Sequence, residues 1–266
     1  MESILKRPPL GQAMYDTLSS DYDRFVNWQN RLSIELPFII KQLKLINARS
    51  ILDAATGTGM HAIALAQLGY KATGADVSTG MVQRARTNAI SSRVQVQFEL
   101  AGFGTLAHAF GKNSFDTVLC LGNSLPHLLS RTELDSALLD FTACLKPGGL
   151  LLIQNRNFDT IVLHHERWME PQSHSETDAE WIFQRFYDFD PDGLLTFNMV
   201  TLKRENQGNW SQEVVSSRLR PLLKDELVSA LSEVGFASSL SYGNMNGDPF
   251  DPESSGNLVV LAKTPS

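Results

Sequence analysis

Between residues 50 and 157 two kinds of apolar pattern alternate along the chain. Short, nearly continuous apolar runs near 50–54, 71–76, 93–99, 115–121 and 148–154 predict buried strands. Amphipathic stretches near 58–68, 78–90 and 131–145 predict helices between most of them. Such alternation implies right-handed crossovers and a parallel sheet. Ser78 stands where it would cap the second helix. Lys146-Pro147-Gly148-Gly149 reads as a helix stop and a tight turn ahead of the buried run Leu150-Leu151-Leu152-Ile153. Upstream, residues 10–30 carry Tyr15, Tyr22 and Trp28 among polar positions. Residues 32–46 read as a helix with Pro37 as a kink or break.

After Asn157 the pattern changes. Trp181-Ile182-Phe183-Gln184-Arg185-Phe186-Tyr187 and residues 194–204 read as strands joined through the turn Asp190-Pro191-Asp192-Gly193, with a third strand over 210–219. Helical periodicity returns over 222–234 and stops at Gly235, and strands near 236–242 and 257–262 close the chain. The expected fold class is α/β: a doubly wound, mostly parallel seven-stranded sheet with a small antiparallel β insertion. The expected organisation is an N-terminal helical flap (1–48), a ligand-binding domain (49–157 and 221–266), and the insertion (158–220) as a substrate lid or an interface.

A chain of 266 residues can bury a sizeable core. With 42% hydrophobic and 20% charged residues it reads as a soluble globular protein. A net charge of −6 argues against nucleic acid as a partner, because affinity for phosphate backbones comes from Lys and Arg. No stretch approaches the roughly twenty apolar residues that would span a membrane. Residues 1–8 lack the apolar core of a secretory signal. Cys120 and Cys144 sit in apolar surroundings and read as buried small hydrophobes of a reducing, cytoplasmic compartment. His164-His165-Glu166 and His174 fall in a polar connecting segment without a ligand spacing, so no metal is expected. No Gly-x-Ser-x-Gly element supports an acyl-transfer hydrolase. A homo-oligomer is neither required nor excluded by these residues.

The chemistry concentrates in Ile51-Leu52-Asp53-Ala54-Ala55-Thr56-Gly57-Thr58-Gly59, followed after the next strand by Asp76. Gly57 and Gly59 allow a tight turn and close approach of a ligand to the backbone. An acid at the end of the second strand is where open α/β folds hold a ribose. Glycine spacing alone leaves a dinucleotide open, since Ala62 is a tolerated replacement for the third glycine of that fingerprint. Asp53 decides between them, because a carboxylate beside the loop repels a pyrophosphate and favours a cationic ligand.

Asp53-x-x-x-Gly57-x-Gly59 with Asp76, and Lys146-Pro147-Gly148-Gly149 before the fifth strand, resembles class I S-adenosylmethionine-dependent methyltransferases. Two further segments, Cys120-Leu121-Gly122-Asn123-Ser124-Leu125-Pro126-His127-Leu128 and Ile153-Gln154-Asn155-Arg156-Asn157-Phe158-Asp159, are similar to the glycine/sarcosine N-methyltransferase group, over roughly residues 15–160. The resemblance implies S-adenosyl-L-methionine as cofactor and a small-molecule methyl acceptor, most simply an amine bearing a carboxylate. It implies that Arg31 pairs with the methionine carboxylate of the cofactor, that Ala55, Gly57 and Gly59 belong to the cofactor loop, and that Asp76, with Val77 beside it, receives the ribose hydroxyls. Met81 covers the adenine face or belongs to the core. Leu121 offers its backbone at the methionine end, and His127 caps the pocket. Arg156 is implied to bind the acceptor carboxylate. Asn123 holds the amine or orders its own loop. Tyr15 and Tyr22 close over the sulfonium or pack. Asn123, His127 and Arg156 are thus the candidate catalytic group, and Tyr15, Asn123 and Arg156 the candidate acceptor contacts.

The chain departs from the glycine enzyme's pattern at Gly102-Phe103, where an Asn-Trp pair is expected, leaving a backbone N–H and a ring to serve adenine. It departs again at Arg220-Pro221-Leu222, where an aromatic pair is expected, and across residues 242–250. These changes bear on the acceptor. An oxygen or carbon acceptor, methylation of RNA or protein, and cofactor binding without turnover are the competing readings. Base-amine methylation is disfavoured because Asn123-Ser124-Leu125-Pro126 lacks an Asn-Pro-Pro-aromatic motif.

Overall fold

The computed structural model describes residues 10–266, so the reading of residues 1–8 as lacking a signal lies outside the described residues. The N-terminal segment forms α1 (Leu10–Leu18), α2 (Tyr22–Phe25) and α3 (Trp28–Leu45). The alternating region follows as β1 (Ser50–Asp53), α4 (Met60–Gln67), β2 (Lys71–Asp76), α5 (Thr79–Ser91), β3 (Gln97–Leu100), α6 (Leu106–Phe110), β4 (Phe115–Cys120), a short 3-10 turn (Leu125–His127), α7 (Arg131–Cys144) and β5 (Leu145–Arg156). Then come α8 (Phe158–His164), β6 (Gln172–Ser175), β7 (Ala179–Phe189), β8 (Leu195–Glu205), β9 (Ser211–Leu219), α9 (Lys224–Glu233), β10 (Ser238–Tyr242) and β11 (Asn257–Lys263).

The main sheet has seven strands in the order β10-β11-β5-β4-β1-β2-β3. Strands β5, β4, β1, β2 and β3 are mutually parallel, and β11 runs antiparallel between β5 and β10. Successive side chains point to opposite faces. Ile51 therefore packs with α3, α4 and α5, while its neighbour Leu52 packs with α7 and α9. Both are fully buried, which is why the strand reads as an uninterrupted apolar run. The chain leaves β1 in one direction for β2 and β3, then returns across it to β4 and β5. The crevice at the carboxyl ends of β1 and β4 is thus the switch point where such sheets bind ligands.

The second sheet is antiparallel, β6-β7-β8-β9. Met14 and Leu18 of α1 pack on Trp181, Phe183 and Met199 of one face, and Phe158 and Ile161 of α8 pack on Tyr187, Leu195 and Leu219. Helix α1 is therefore held over the carboxyl edge of the main sheet by the insertion.

Four expectations change in detail. Helix α3 runs unbroken through Pro37: Ser33, whose carbonyl loses its helical partner there, and Pro37 itself are both exposed, so water replaces the missing bond. Lys146–Gly149 lies inside β5 as a register shift against β4, with Gly148 at φ +71°, instead of forming a turn ahead of the strand. The third strand is shorter than the 93–99 stretch, because Arg93 adopts φ +55° at the end of α5. His164 closes α8 and His174 lies on β6, so that segment is not a plain connection. Among the described residues there is no cluster of three or more His, Cys, Asp or Glu arranged to hold a metal, and no helix long and apolar enough to cross a membrane.

Gly59 shows what the two loop glycines do differently. It takes φ +84° at the start of α4, and a Cβ there would lie 2.7 Å from Phe98 Cζ and 2.8 Å from Ala85 Cβ. Both the backbone and the packing reject a side chain. Gly59→Ala is expected to destabilise the fold by about 2–4 kcal/mol in a denaturant titration; a loss under about 0.5 kcal/mol would contradict this packing role.

Candidate active site

The crevice over the carboxyl ends of β1, β2 and β4 is a cavity of ≈540 Å³. Asp53 ends β1, is buried, and accepts a hydrogen bond from Thr56 Oγ1 at 2.8 Å. Burial raises its pKa. Gly57, at φ +54°, donates its N–H to Asp76 Oδ2 at 2.9 Å, and Ser78 N donates to Asp76 Oδ1 at 2.9 Å. Asp76 thus binds the glycine loop to β2 and keeps further lone pairs toward the cavity. Burial pushes its carboxyl up to about 6.

Arg31 reaches the cavity from α3. Its Nε donates to both oxygens of Glu35 at 3.1 Å, and Glu35 Oε2 lies 2.6 Å from His61 Nε2. Burial works against the Glu35 carboxylate, but the His61 hydrogen bond and the Arg31 charge outweigh it and hold its pKa down. Because Nε is taken, the terminal amino groups of Arg31 are directed outward, 3.4 Å from where a Cβ on Gly122 would lie. Trp28 lies against the Arg31 guanidinium at 5.2 Å. The flap is fixed by ties to α5: Ser78 Oγ donates to Asp16 at 2.5 Å, and Arg84 Nε donates to Asp23 at 2.7 Å.

Tyr15, Tyr22, Asp53, Ala55, Gly57, Asp76, Val77, Met81, Gly102, Phe103, Leu121 and His127 all line this cavity with Arg31. Gly59 does not: it stands behind the loop, where its missing side chain admits Phe98. The Gly102 N–H is not free for a base either, since it donates to Thr105 Oγ1 at 3.2 Å. Gly102 instead leaves room for Val77, whose Cγ1 would be 2.2 Å from an added Cβ. Trp28, His61, Glu133 and Ser136 line the cavity without having been singled out from the sequence.

A second cavity of ≈250 Å³ adjoins the first, sharing Tyr15, Tyr22, Arg31, Gly122 and His127 with it. Asn123 and Arg156 line it. Asn123 adopts φ +68° and its Oδ1 accepts the Arg156 N–H at 3.0 Å. The side-chain oxygen thus ties the loop after β4 to the backbone of β5, with its second lone pair and the amide nitrogen left over. The Arg156 side chain has no hydrogen bond or ion pair among the described residues, and its Nε is buried without a partner. Arg185 and Tyr187 of β7 complete the far wall. Arg185 also lacks a polar partner among the described residues. One signal for it was present in the sequence: Trp181, Phe183, Arg185 and Tyr187 occupy alternating positions, so the arginine interrupts an apolar face.

His127 stands at the junction of the cavities. Its Nε2 lies 2.9 Å from Tyr15 Oη and its Nδ1 3.2 Å from Ser217 Oγ. Burial lowers its pKa to about 4, so the ring is neutral near pH 7. Ser217 Oγ donates to Arg218 O at 3.4 Å, an arrangement in which Nδ1–H donates to Ser217 and Nε2 accepts from Tyr15. The Tyr15 hydroxyl then turns its lone pairs away from His127, and burial raises its pKa and keeps it neutral.

The carboxylates of Asp53 and Asp76, a forked cation and an aromatic rim in one cavity fit a ligand carrying a ribose, an amino-acid carboxylate and a cationic centre, as S-adenosylmethionine does. Residues 51–149 match the family model described as a methyltransferase domain. The glycine/sarcosine N-methyltransferase of Parasynechococcus marenigrum is 29% identical over 262 residues, covering 95% of this chain and 86% of that protein. That of Aphanothece halophytica is 31% identical over 227 residues, covering 84% and 79%. In fold, the chain is similar to an S-adenosylmethionine-dependent methyltransferase from Clostridium acetobutylicum, with a TM-score of 0.74 at 15% identity over 95% of this chain and 100% of that one. The chain belongs to the family of the glycine/sarcosine N-methyltransferases and is an S-adenosylmethionine-dependent methyltransferase.

Proposed function

We propose that the acceptor is a small amine bearing a carboxylate and that the methyl group goes to its nitrogen, as the names of the glycine/sarcosine relatives suggest. The observation carrying this reading is the unpaired guanidinium of Arg156, held in a cavity that opens onto the cofactor crevice. A half-buried guanidinium without a counterion is unfavourable, and an acceptor carboxylate supplies one in bidentate geometry.

S-adenosylmethionine supplies an electrophilic methyl on a sulfonium with a good leaving group, so positioning carries most of the remaining acceleration. Arg31 would hold the cofactor's carboxylate, and Asp76 would accept from its ribose hydroxyls. Asp53 would supply negative charge for its cationic end, and Met81, Val77 and Phe103 would serve the adenine. Arg156 fixes the acceptor at its acidic end. The neutral Tyr15 hydroxyl, oriented by His127, faces the junction with lone pairs available to the reacting amine. The guanidinium of Arg156 also disfavours an ammonium nearby, which favours the free-base amine that attacks. The N-terminal flap and the 158–220 insertion both supply walls of this acceptor chamber, through Met14, Tyr15 and Leu18 on one side and Arg185, Tyr187 and Met199 on the other. Two buried free thiols, Cys120 and Cys144, accord with a cytoplasmic location.

A panel of glycine, sarcosine and larger carboxylated amines, each beside its methyl ester, tests this reading through release of S-adenosylhomocysteine. Turnover of acids but not esters is expected; equal turnover of both would sink the carboxylate anchor.

Cofactor affinity should depend on pH through Asp76. Its carboxyl titrates near 6, and the ribose hydroxyls bind the ionised form. Affinity is therefore full well above pH 6, about half at pH 6, and about tenfold weaker one pH unit below that pKa. Calorimetry with S-adenosylhomocysteine from pH 7 to 5 should show this slope, and Asp76→Asn should flatten it. A flat wild-type profile would contradict the assignment.

A further inference from the structure

The second cavity holds one more cation than a simple amino acid needs. We propose that, granted Arg156 as the carboxylate anchor, Arg185 is a second anion-binding residue and the acceptor carries a second acidic group, as an amino dicarboxylate does.

Arg185 occupies an inward position of β7 whose neighbours on the same face, Phe183 and Tyr187, are buried. An arginine there displaces an apolar residue from the cover of α1. Its guanidinium carbon stacks over the Phe25 ring at 4.8 Å, which leaves the edge carrying its N–H donors for an acceptor in the plane. The Nε is buried without a partner. Other arginines on or against the insertion behave differently: Arg24 pairs with Glu176, Arg167 with Asp188, Arg204 with Glu180 and Arg218 with Asp192. Acids are thus supplied wherever an arginine faces outward and are missing where two face the cavity.

Among the described residues Glu35 is the only acid lining that cavity, and its oxygens are engaged by Arg31 and His61. Burial and the charge of Arg156 both work against the charge on Arg185. An attacking amine must keep its lone pair, so the acceptor's charge comes from its acidic groups alone. One carboxylate leaves a guanidinium uncompensated in a chamber walled by Met14, Leu18 and Met199; two neutralise the pair. The ≈250 Å³ of the cavity corresponds to about eight waters at roughly 30 Å³ each, more than a glycine fills.

The test compares wild type with Arg185→Gln on glycine, sarcosine, aspartate, glutamate and iminodiacetate, with asparagine and glutamine as the mono-amide counterparts. S-adenosylhomocysteine release reads turnover, and calorimetry with S-adenosylhomocysteine, then with acceptor added, reads folding and binding apart from activity. Wild type is expected to favour the best dicarboxylate over its mono-amide by about 10²-fold in kcat/KM. Arg185→Gln should reduce that preference to within about threefold, by lowering turnover of the dicarboxylate far more than that of the mono-amide, and keep S-adenosylhomocysteine affinity unchanged. If wild type prefers glycine or sarcosine to every dicarboxylate, and Arg185→Gln lowers their turnover as Arg156→Ala does, the two guanidiniums grip one carboxylate and the second acidic group is overturned while the anchor stands. If no acceptor of the panel binds or turns over, the anchor fails and this inference with it.

Discussion

Arg156→Ala is expected to lower kcat/KM for a carboxylated amine by about 10²–10³-fold, with cofactor affinity changed less than about twofold. Truncating one partner of a desolvated charge pair costs about 2–5 kcal/mol, and each 1.4 kcal/mol is about tenfold. The guanidinium has no intramolecular partner among the described residues, so its removal strands no carboxylate of the protein and should leave the fold intact. Its backbone N–H still anchors Asn123, which keeps the loop after β4 in place. The acceptor carboxylate is gripped alike before and during transfer, so most of the loss should appear in KM, with a smaller part in kcat from looser positioning. Steady-state kinetics checks this directly. An effect under fivefold, or one confined to kcat, would remove Arg156 from the acceptor site.

Asp76→Ala is expected to weaken S-adenosylhomocysteine binding by about 10²-fold, through loss of charge-assisted hydrogen bonds worth about 1.5–3 kcal/mol each. Its effect on stability should be far smaller. A folded-state pKa near 6 against about 3.8 unfolded means that ionisation opposes folding, so stability falls as pH rises between those values. The difference amounts to about 3 kcal/mol at pH 7, which the alanine variant recovers. Loss of the ties to Gly57 and Ser78 offsets most of that gain. Denaturant unfolding at pH 7 should therefore place the variant within about 2 kcal/mol of wild type while binding collapses. A variant that is unfolded, or one that binds normally, would refute this division of labour between stability and function.

The main sheet was legible in the sequence because β1, β4 and β5 are buried on both faces and advertise themselves as apolar runs between amphipathic helices. Asp53, Gly57 and Asp76 were legible because the loop's chemistry is local. Residues separated in sequence but joined in space were harder. Helix α8 and strand β6 are short: α8 is held by Phe158 and Ile161 packing on Tyr187, Leu195 and Leu219, and β6 by its backbone pairing with β7. Gly57 and Gly59 look alike as letters, yet one lines the cavity and the other makes room for Phe98. Asn123 reads equally as a ligand contact or a loop residue, and its bond to the Arg156 backbone joins two segments far apart in sequence. The Tyr15–His127–Ser217 chain joins the flap, the loop after β4 and β9, so no local motif could announce it.

The most direct measurement follows the methyl group itself. Incubation with isotopically labelled methyl on S-adenosylmethionine and nitrogen-labelled carboxylated amines, read by NMR, should give a product whose methyl carbon couples to the labelled nitrogen. Label found on oxygen or carbon, or no transfer to any carboxylated amine, would contradict amine methylation anchored by Arg156.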